Sequence, residues 1–452
     1  MIRLLQHRFP PCRDVPPGRL RRASGASLHP KISWGGIFGR LLQLAGIIIL
    51  LQLLPTPVLA QDFSGYAEVK GFAYSERASS RDPWVLGWGT VFAKWEKKVG
   101  EAQLTASVRG EEITSGERGA LAFDPGDRRI RRSPISVRDF WVRLPLTPSL
   151  DLQLGRFQLG WGKTDGYSPA DAFLPRDLSD PFSDEKLPLW ALRLSGQDGA
   201  LRYEAVACPI TTPWRLPVLG SRNAPLEAEG LPAGTVFNEI DTAPPTEGFG
   251  ALRLLATFGD WDVGAWARFG VRPAPLLDFR FDLATPTPSG PVIPVERRYA
   301  REEAAGIEVS RIVGSWILRG EGAALFSRDR DLGNALIGAL SAEKGFGDGT
   351  LLITLAGNAL EPPVDPTLLF DRSILPALIV AWNRTEEWGE WKLVWSAGLK
   401  RGDGLLKAEA GYNLTDLWKV TLGGELPYGA TEGPFGALYA AKRVHLALRR
   451  SW

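Results

Sequence analysis

Downstream of Ala60 the chain holds one histidine, His445, and one cysteine, Cys208. A Ser-His-acid or Asp-His hydrolase needs its histidine beside a nucleophile or a water-activating acid. His445 stands seven residues from the chain end, which puts it in the terminal half of the last strand marked below, far from the long loops, so it reads as a satisfied wall or rim histidine. Cys208, just before Pro209, reads as a small packing residue. One thiol and one histidine leave no internal disulfide and no His- or Cys-rich metal site after residue 60, and no run of carboxylates has the spacing of a calcium loop. Neither an enzyme nor a metal or other cofactor is expected.

The chemistry that remains is electrostatic. Segment 159–187 carries Asp165, Asp171, Asp177, Asp180, Asp184 and Glu185 against only Lys163, Arg176 and Lys186. Arginines recur farther on at Arg193, Arg202, Arg253, Arg268 and Arg319, with Glu308 among them. Acids on one segment and arginines on others set up a field across a passage if a scaffold turns them toward each other.

The formal net charge of +2 hides an asymmetry. Residues 1–60 hold eight Lys and Arg and one acid, Asp14, so the remainder carries 45 basic and 50 acidic side chains. A mildly acidic body has no strong phosphate-binding face, and no nucleic-acid partner is expected. The basic leader runs into fourteen largely apolar residues, Leu41–Leu54, and then Pro55-Thr56-Pro57-Val58-Leu59-Ala60, the layout of a secretory signal cleaved after Ala60. The apolar run is shorter than the roughly 20 residues of a spanning helix; an uncleaved anchor is the alternative. The expected division is a signal peptide, 1–60, and one body, 61–452.

Beyond residue 60 the recurring pattern is alternation with a period of two, the mark of strands with one apolar and one polar face. In 405–414, Leu406, Ala408, Ala410, Tyr412 and Leu414 alternate with Lys407, Glu409 and Asn413. About eighteen strands can be marked, near 63–74, 87–97, 101–111, 135–144, 150–158, 188–196, 199–208, 248–258, 261–270, 302–312, 315–327, 334–346, 350–359, 374–386, 390–400, 404–414, 417–426 and 435–452. Tight turns such as Gln197-Asp198, Gly259-Asp260 and Val313-Gly314 alternate with long loops at about 75–86, 112–134, 159–187, 209–247, 271–301 and 360–373, with 401–403 the exception. The Pro- and Gly-rich loops have no readable conformation. Aromatic residues gather near strand ends, at Trp88, Trp95, Phe258 with Trp261, Trp316, Trp388 with Trp391, and Trp418. The expected fold is all-β: a single antiparallel transmembrane β-barrel of about eighteen strands, sixteen to eighteen, with an aromatic girdle, short turns and both chain ends at one rim, and long loops at the other.

The chain end alternates Val444, Leu446 and Leu448 with Arg443, His445, Ala447 and Arg449 before Trp452. It resembles the carboxy-terminal assembly signal of Gram-negative outer-membrane proteins. That resemblance implies an outer-membrane location after signal cleavage, outer-membrane lipid around the barrel, and recognition by the barrel assembly machinery. Segment 154–177 resembles the strand-exit motif of a large group of porin-like outer-membrane proteins through Gly155, Arg156, Trp161, Gly162, Asp165, Gly166 and Asp171. Here Phe157 and Gln158 follow the arginine where that group tends to have Gln directly. Read from the residues alone, the glycines permit tight turns and Asp165 and Asp171 bond neighbouring amides; a share in a permeation path is the other reading. The resemblance implies a water-filled, porin-like channel for passive diffusion of small polar or anionic solutes, as a monomer or a homotrimer. A plugged siderophore receptor would need a domain ahead of Phe63. The alternative function is an exporter or a surface-binding barrel whose loops 209–247 and 271–301 recognise a partner.

Turn placement sets the expected pairings. Val313-Gly314 as a two-residue turn puts Glu308 across from Arg319 on the polar face; Gln197-Asp198 puts Arg193 across from Arg202; Gly259-Asp260 leaves Arg253 and Arg268 one diagonal step apart. Leu104, Leu351, Ile353, Leu355, Leu393 and Val420 should face lipid, and Thr354 the interior, where an arginine should be tolerated. In general porins, which the chain resembles by loop order, the third loop folds into the bore against a basic wall. The resemblance implies a constriction in which Asp165, Asp171, Asp177, Asp180, Asp184 and Glu185 face Arg193, Arg202, Arg253 and Arg268. Four independently solvated arginines are the alternative.

Overall fold

The computed structural model describes residues 62–77, 82–114, 124–131, 133–171, 173–183, 185–224, 232, 234–240, 244–288, 290–358 and 376–452. The expected signal peptide, 1–60, and Asp184 lie outside the described residues.

In chain order the strands are β1 (Phe63–Tyr74), β2 (Val85–Val99), β3 (Ala102–Ile113), β4 (Ile135–Thr147), β5 (Leu150–Phe157), β6 (Arg176–Asp177), β7 (Glu185–Lys186), β8 (Leu189–Asp198), β9 (Leu201–Cys208), β10 (Val236–Glu239), β11 (Phe249–Phe258) and β12 (Trp261–Val271). They continue as β13 (Leu276–Phe279), β14 (Val292–Arg298), β15 (Arg301–Val313), β16 (Trp316–Phe326), β17 (Ala335–Phe346), β18 (Gly349–Asn358), β19 (Ala377–Glu386), β20 (Gly389–Gly398), β21 (Asp403–Asn413), β22 (Trp418–Tyr428) and β23 (Arg443–Ser451). Eighteen of them form one closed antiparallel barrel. Each barrel strand pairs with the next one in the chain, and β23 returns to β1. The other five belong to loops: β6 pairs β7, and β10, β14 and β13 make a small sheet between the loops that follow β9 and β12.

Closure satisfies every strand edge, and alternation then sorts the side chains. Leu252, Leu254, Ile307, Leu340, Ile353, Leu355, Leu393 and Leu422 are exposed on the outer face. Positions one along turn inward, and Ala251, Ala339, Thr354 and Ala356 among them are buried. Among the described residues no helix is long and apolar enough to cross a membrane. The short-turn rim carries the ends of β1 and β23, and the tight link from Gly398 to Asp403 is the exception at the long-loop rim. At the seam Gly65 and Trp452 exchange two backbone hydrogen bonds, of 3.2 and 3.1 Å.

Five expectations shift. The last strand covers Arg443–Ser451 and not 435–452: Gly433, Pro434 and Gly436 break the alternation, the chain makes a 3-10 turn over Gly436–Ala441, and Asp403 accepts the Phe435 amide at 2.7 Å. His445 is therefore at the long-loop end of its strand and not the terminal half. Trp88 pairs with Lys70 on the inward face and meets Phe72 at 6.3 Å, so it is not a girdle residue. Glu308 lies across from Glu321, and Arg319 across from Ser310, because Val313 pairs with Trp316. Arg193 lies across from Val206, and Arg202 from Gln197, because Asp198 pairs with Leu201. In both hairpins the turn residues are a glycine and its follower, Gly314-Ser315 and Gly199-Ala200, with the glycines at φ +59° and +56°. A two-residue turn of positive φ takes glycine at its first position. These are shifts of even number, so every side chain keeps its face. At Gly259-Asp260, where glycine already comes first, Arg253 pairs with Trp266 and Arg268 with Ala251, as expected.

Candidate functional site: a loop across the bore

The loop between β5 and β8 enters the barrel. Counting round the ring, β19 is the ninth strand after β5 in a ring of eighteen. It therefore lies opposite the point where the loop starts. A Cβ on Gly166, at the loop tip, would stand 3.2 Å from Ile379 on β19. The loop spans a diameter.

On the flank that faces β11–β17 the loop is held by apolar packing. Leu159, Trp161, Phe173 and Leu174 join a buried cluster with Phe249, Trp266, Ala323, Leu325 and Ile337 of the inner wall. The Phe173 ring meets Trp266 of β12 at 5.5 Å and Phe249 of β11 at 6.3 Å.

Its polar anchor is Glu321 on β16. This buried carboxylate accepts the Thr164 amide at 2.5 Å, the Ser168 hydroxyl at 2.7 Å and the Ala170 amide at 3.1 Å, and the Lys163 amide as well. Gly162 makes this fold possible: it sits at φ +101°, and a Cβ there would collide with the Ser168 hydroxyl. Asp171 accepts the Trp161 amide at 3.1 Å and pairs with Lys186. The Asp165 carbonyl accepts the Thr354 hydroxyl at 2.7 Å, while its exposed carboxylate stands 3.5 Å from Arg319.

On the opposite flank, toward β21, β23, β3 and β4, charged side chains make the contacts. Asp180 takes Arg443 of β23 in two bonds of 3.1 and 2.8 Å, and Lys407 of β21 donates to the Phe182 carbonyl at 2.7 Å. Glu185 pairs with Arg109 and Arg138 of β3 and β4. Asp177 caps Ser179 and stands 3.5 Å from Arg215. The loop acids thus meet Arg319, Arg443, Arg109, Arg138 and Arg215, and not the four arginines named from the sequence.

Three of those four have other partners. Arg193 pairs with Glu204 across the β8–β9 hairpin, and Trp161 donates to the same carboxylate. Arg253 grips Glu308 with two bonds of 2.7 and 2.8 Å. Arg268 is fully buried, 3.8 Å from Glu302 and 5.2 Å from the Phe173 and Phe249 rings. Arg319 also pairs with Glu343 at 2.6 Å. The wall beneath the loop is therefore a run of alternating charge, because inward positions on adjacent strands sit within reach of each other. Arg202 stays exposed and makes no ion pair among the described residues.

Arg156 of the motif leaves the bore altogether. It is fully buried, donates to the Val137 carbonyl at 2.8 Å and pairs with Asp127, which also takes Arg215 at 2.7 Å. Burial by itself would push the Arg215 guanidinium down, but Asp127, Asp177 and Asp124 outweigh it and hold it above its ordinary value. This cluster ties three outer loops together. Alternation had put Arg443 on a polar face, whereas Glu204 and Glu321 were not singled out from the sequence; that the three answer the loop and the wall arginines depends on a path through the bore that no local pattern carries. Among the described residues no group of three or more His, Cys, Asp or Glu could hold a metal ion.

No family model matches the chain, and no curated protein matches it. Among solved structures, two mutants of the Rh. blastica porin are 10% identical, with TM-scores of 0.37 and 0.38, and a triple mutant of the Rhodopseudomonas blastica porin is 9% identical, with a TM-score of 0.37. Each alignment covers 86% of this chain and 99% of the porin, and it is to these porins that the chain is similar.

Proposed function

We propose that this protein is a channel of the Gram-negative outer membrane through which small polar solutes, anions included, diffuse passively without a cofactor. The observation that carries the reading is the combination of an apolar outer face with a charged inner wall and one anchored loop on a diameter of the bore. A ring of eighteen strands encloses more space than its own side chains fill, and a loop crossing it narrows that space. The leader 1–60 is read as the export signal, and Trp452 as the mark recognised by the barrel assembly machinery.

Of the four arginines read from the sequence, Arg202 is the one left to favour anions, since glutamates answer Arg193, Arg253 and Arg268. Single-channel recording in planar bilayers tests the channel, and reversal potentials in a salt gradient test its selectivity. Steps of stable conductance are expected, with Arg202→Gln lowering the anion-to-cation permeability ratio about twofold, equal to ~0.4 kcal/mol. A protein that folds but passes no current would overturn the reading. The packed loops after β9 and β12, which bury Trp214, Leu277 and Val295 together, favour surface recognition as the second reading in that event.

A further inference from the structure

We infer that the outer mouth holds a binding site for small carboxylates with an apolar, aromatic body. The inference deepens the channel reading and rests on it, since it names the solute class that the mouth would collect. A cavity of about 520 Å³ lies between the inner wall at the outer ends of β1–β3 and the loops that follow β3, β5 and β9. That size suits a single small molecule.

Its floor is aromatic, with the Arg443 guanidinium 4.4 Å from the Phe72 ring and that of Arg222 3.8 Å from the Tyr74 ring. Phe72 and Tyr74 stack at 6.5 Å, Trp88 meets Phe72 at 6.3 Å, and Leu216 is buried beside them. Most of the charge around the cavity is already answered. Arg443 is held by Asp180 and Glu425, Arg215 by Asp127, and Glu239 by Arg297. Two cations are left. Arg129 and Arg131 line the cavity from the loop after β3, are exposed, and make no ion pair among the described residues. An aromatic floor facing two uncommitted guanidinium groups selects a ligand that has a ring at one end and a carboxylate at the other. A small hydrophilic anion gains nothing from the floor, and a neutral aromatic gains nothing from the arginines.

Calorimetric titration of the folded full chain in detergent, with phenylacetate, phenylacetamide and acetate as probes, tests this. Phenylacetate is expected to bind at least tenfold more tightly than either of the others. The double variant Arg129→Gln, Arg131→Gln, at exposed positions outside the wall pairs, should lose about tenfold for phenylacetate and leave phenylacetamide unchanged. Equal binding of phenylacetate and phenylacetamide, or no loss in the double variant, overturns the site. Conductance of the same protein in potassium chloride is read separately. Current without discrimination among the probes removes the site and leaves the channel, whereas discrimination without current keeps the site and removes the channel.

Discussion

Glu321 shows how much one inward carboxylate can hold. Three backbone amides and one hydroxyl of the loop converge on it, and a buried donor left without its partner costs ~1–3 kcal/mol. Glu321→Ala should therefore loosen the loop tip, giving noisier and larger single-channel currents; a trace identical to the parent's would show that the tip is held elsewhere. Thr354 teaches the opposite lesson about reading faces. It points inward as alternation requires, yet it is fully buried beneath Asp165, so an arginine there finds room only if the loop yields. Ile353→Arg, on the outer face, should cost ~2–4 kcal/mol of barrel stability and lower the folded fraction on a heat-modifiability gel. Thr354→Arg should assemble and displace the loop, raising conductance.

At the level of elements, all eighteen barrel strands were legible, because alternation is a local signal repeated in each one. The hairpin register was legible only where glycine led the turn pair, as at Gly259-Asp260; reading Gly199-Ala200 and Gly314-Ser315 the same way would have given the observed pairings. That the third loop enters the bore was implied by the resemblance, but its contacts there were not legible. Its acids stand out as a cluster, but their partners come from strands scattered between Arg109 and Arg443, and only the closed ring brings those together. The buried link between Asp127, Arg156 and Arg215 was equally hidden. Removing one member of such a cluster leaves buried charge uncompensated, at ~3–5 kcal/mol. Asp127→Ala should make the outer loops sensitive to added protease while the barrel stays heat-modifiable; loops as resistant as the parent's would show that the cluster is dispensable.

For the whole molecule, the seam decides whether a barrel exists. Gly65 lies where a Cβ would collide with the Phe92 carbonyl oxygen and fall 2.6 Å from the Trp452 ring. Gly65→Val should thus keep β1 and β23 apart and leave two open edges, which hydrocarbon does not tolerate; the yield of folded, heat-modifiable protein should collapse, and normal yield would show that the seam adapts. Closure alone fixes the circumference but not the shape, since a ring of many hydrogen-bonded strands can flatten toward an ellipse at little cost to any one pair. The loop that reaches from β5 to Ile379, fastened by apolar packing along one flank and by Arg443 and Lys407 along the other, acts as a crossbeam. It makes the cross-section resist lateral squeezing along one axis, so that changes in bilayer tension would deform the bore across the beam rather than along it.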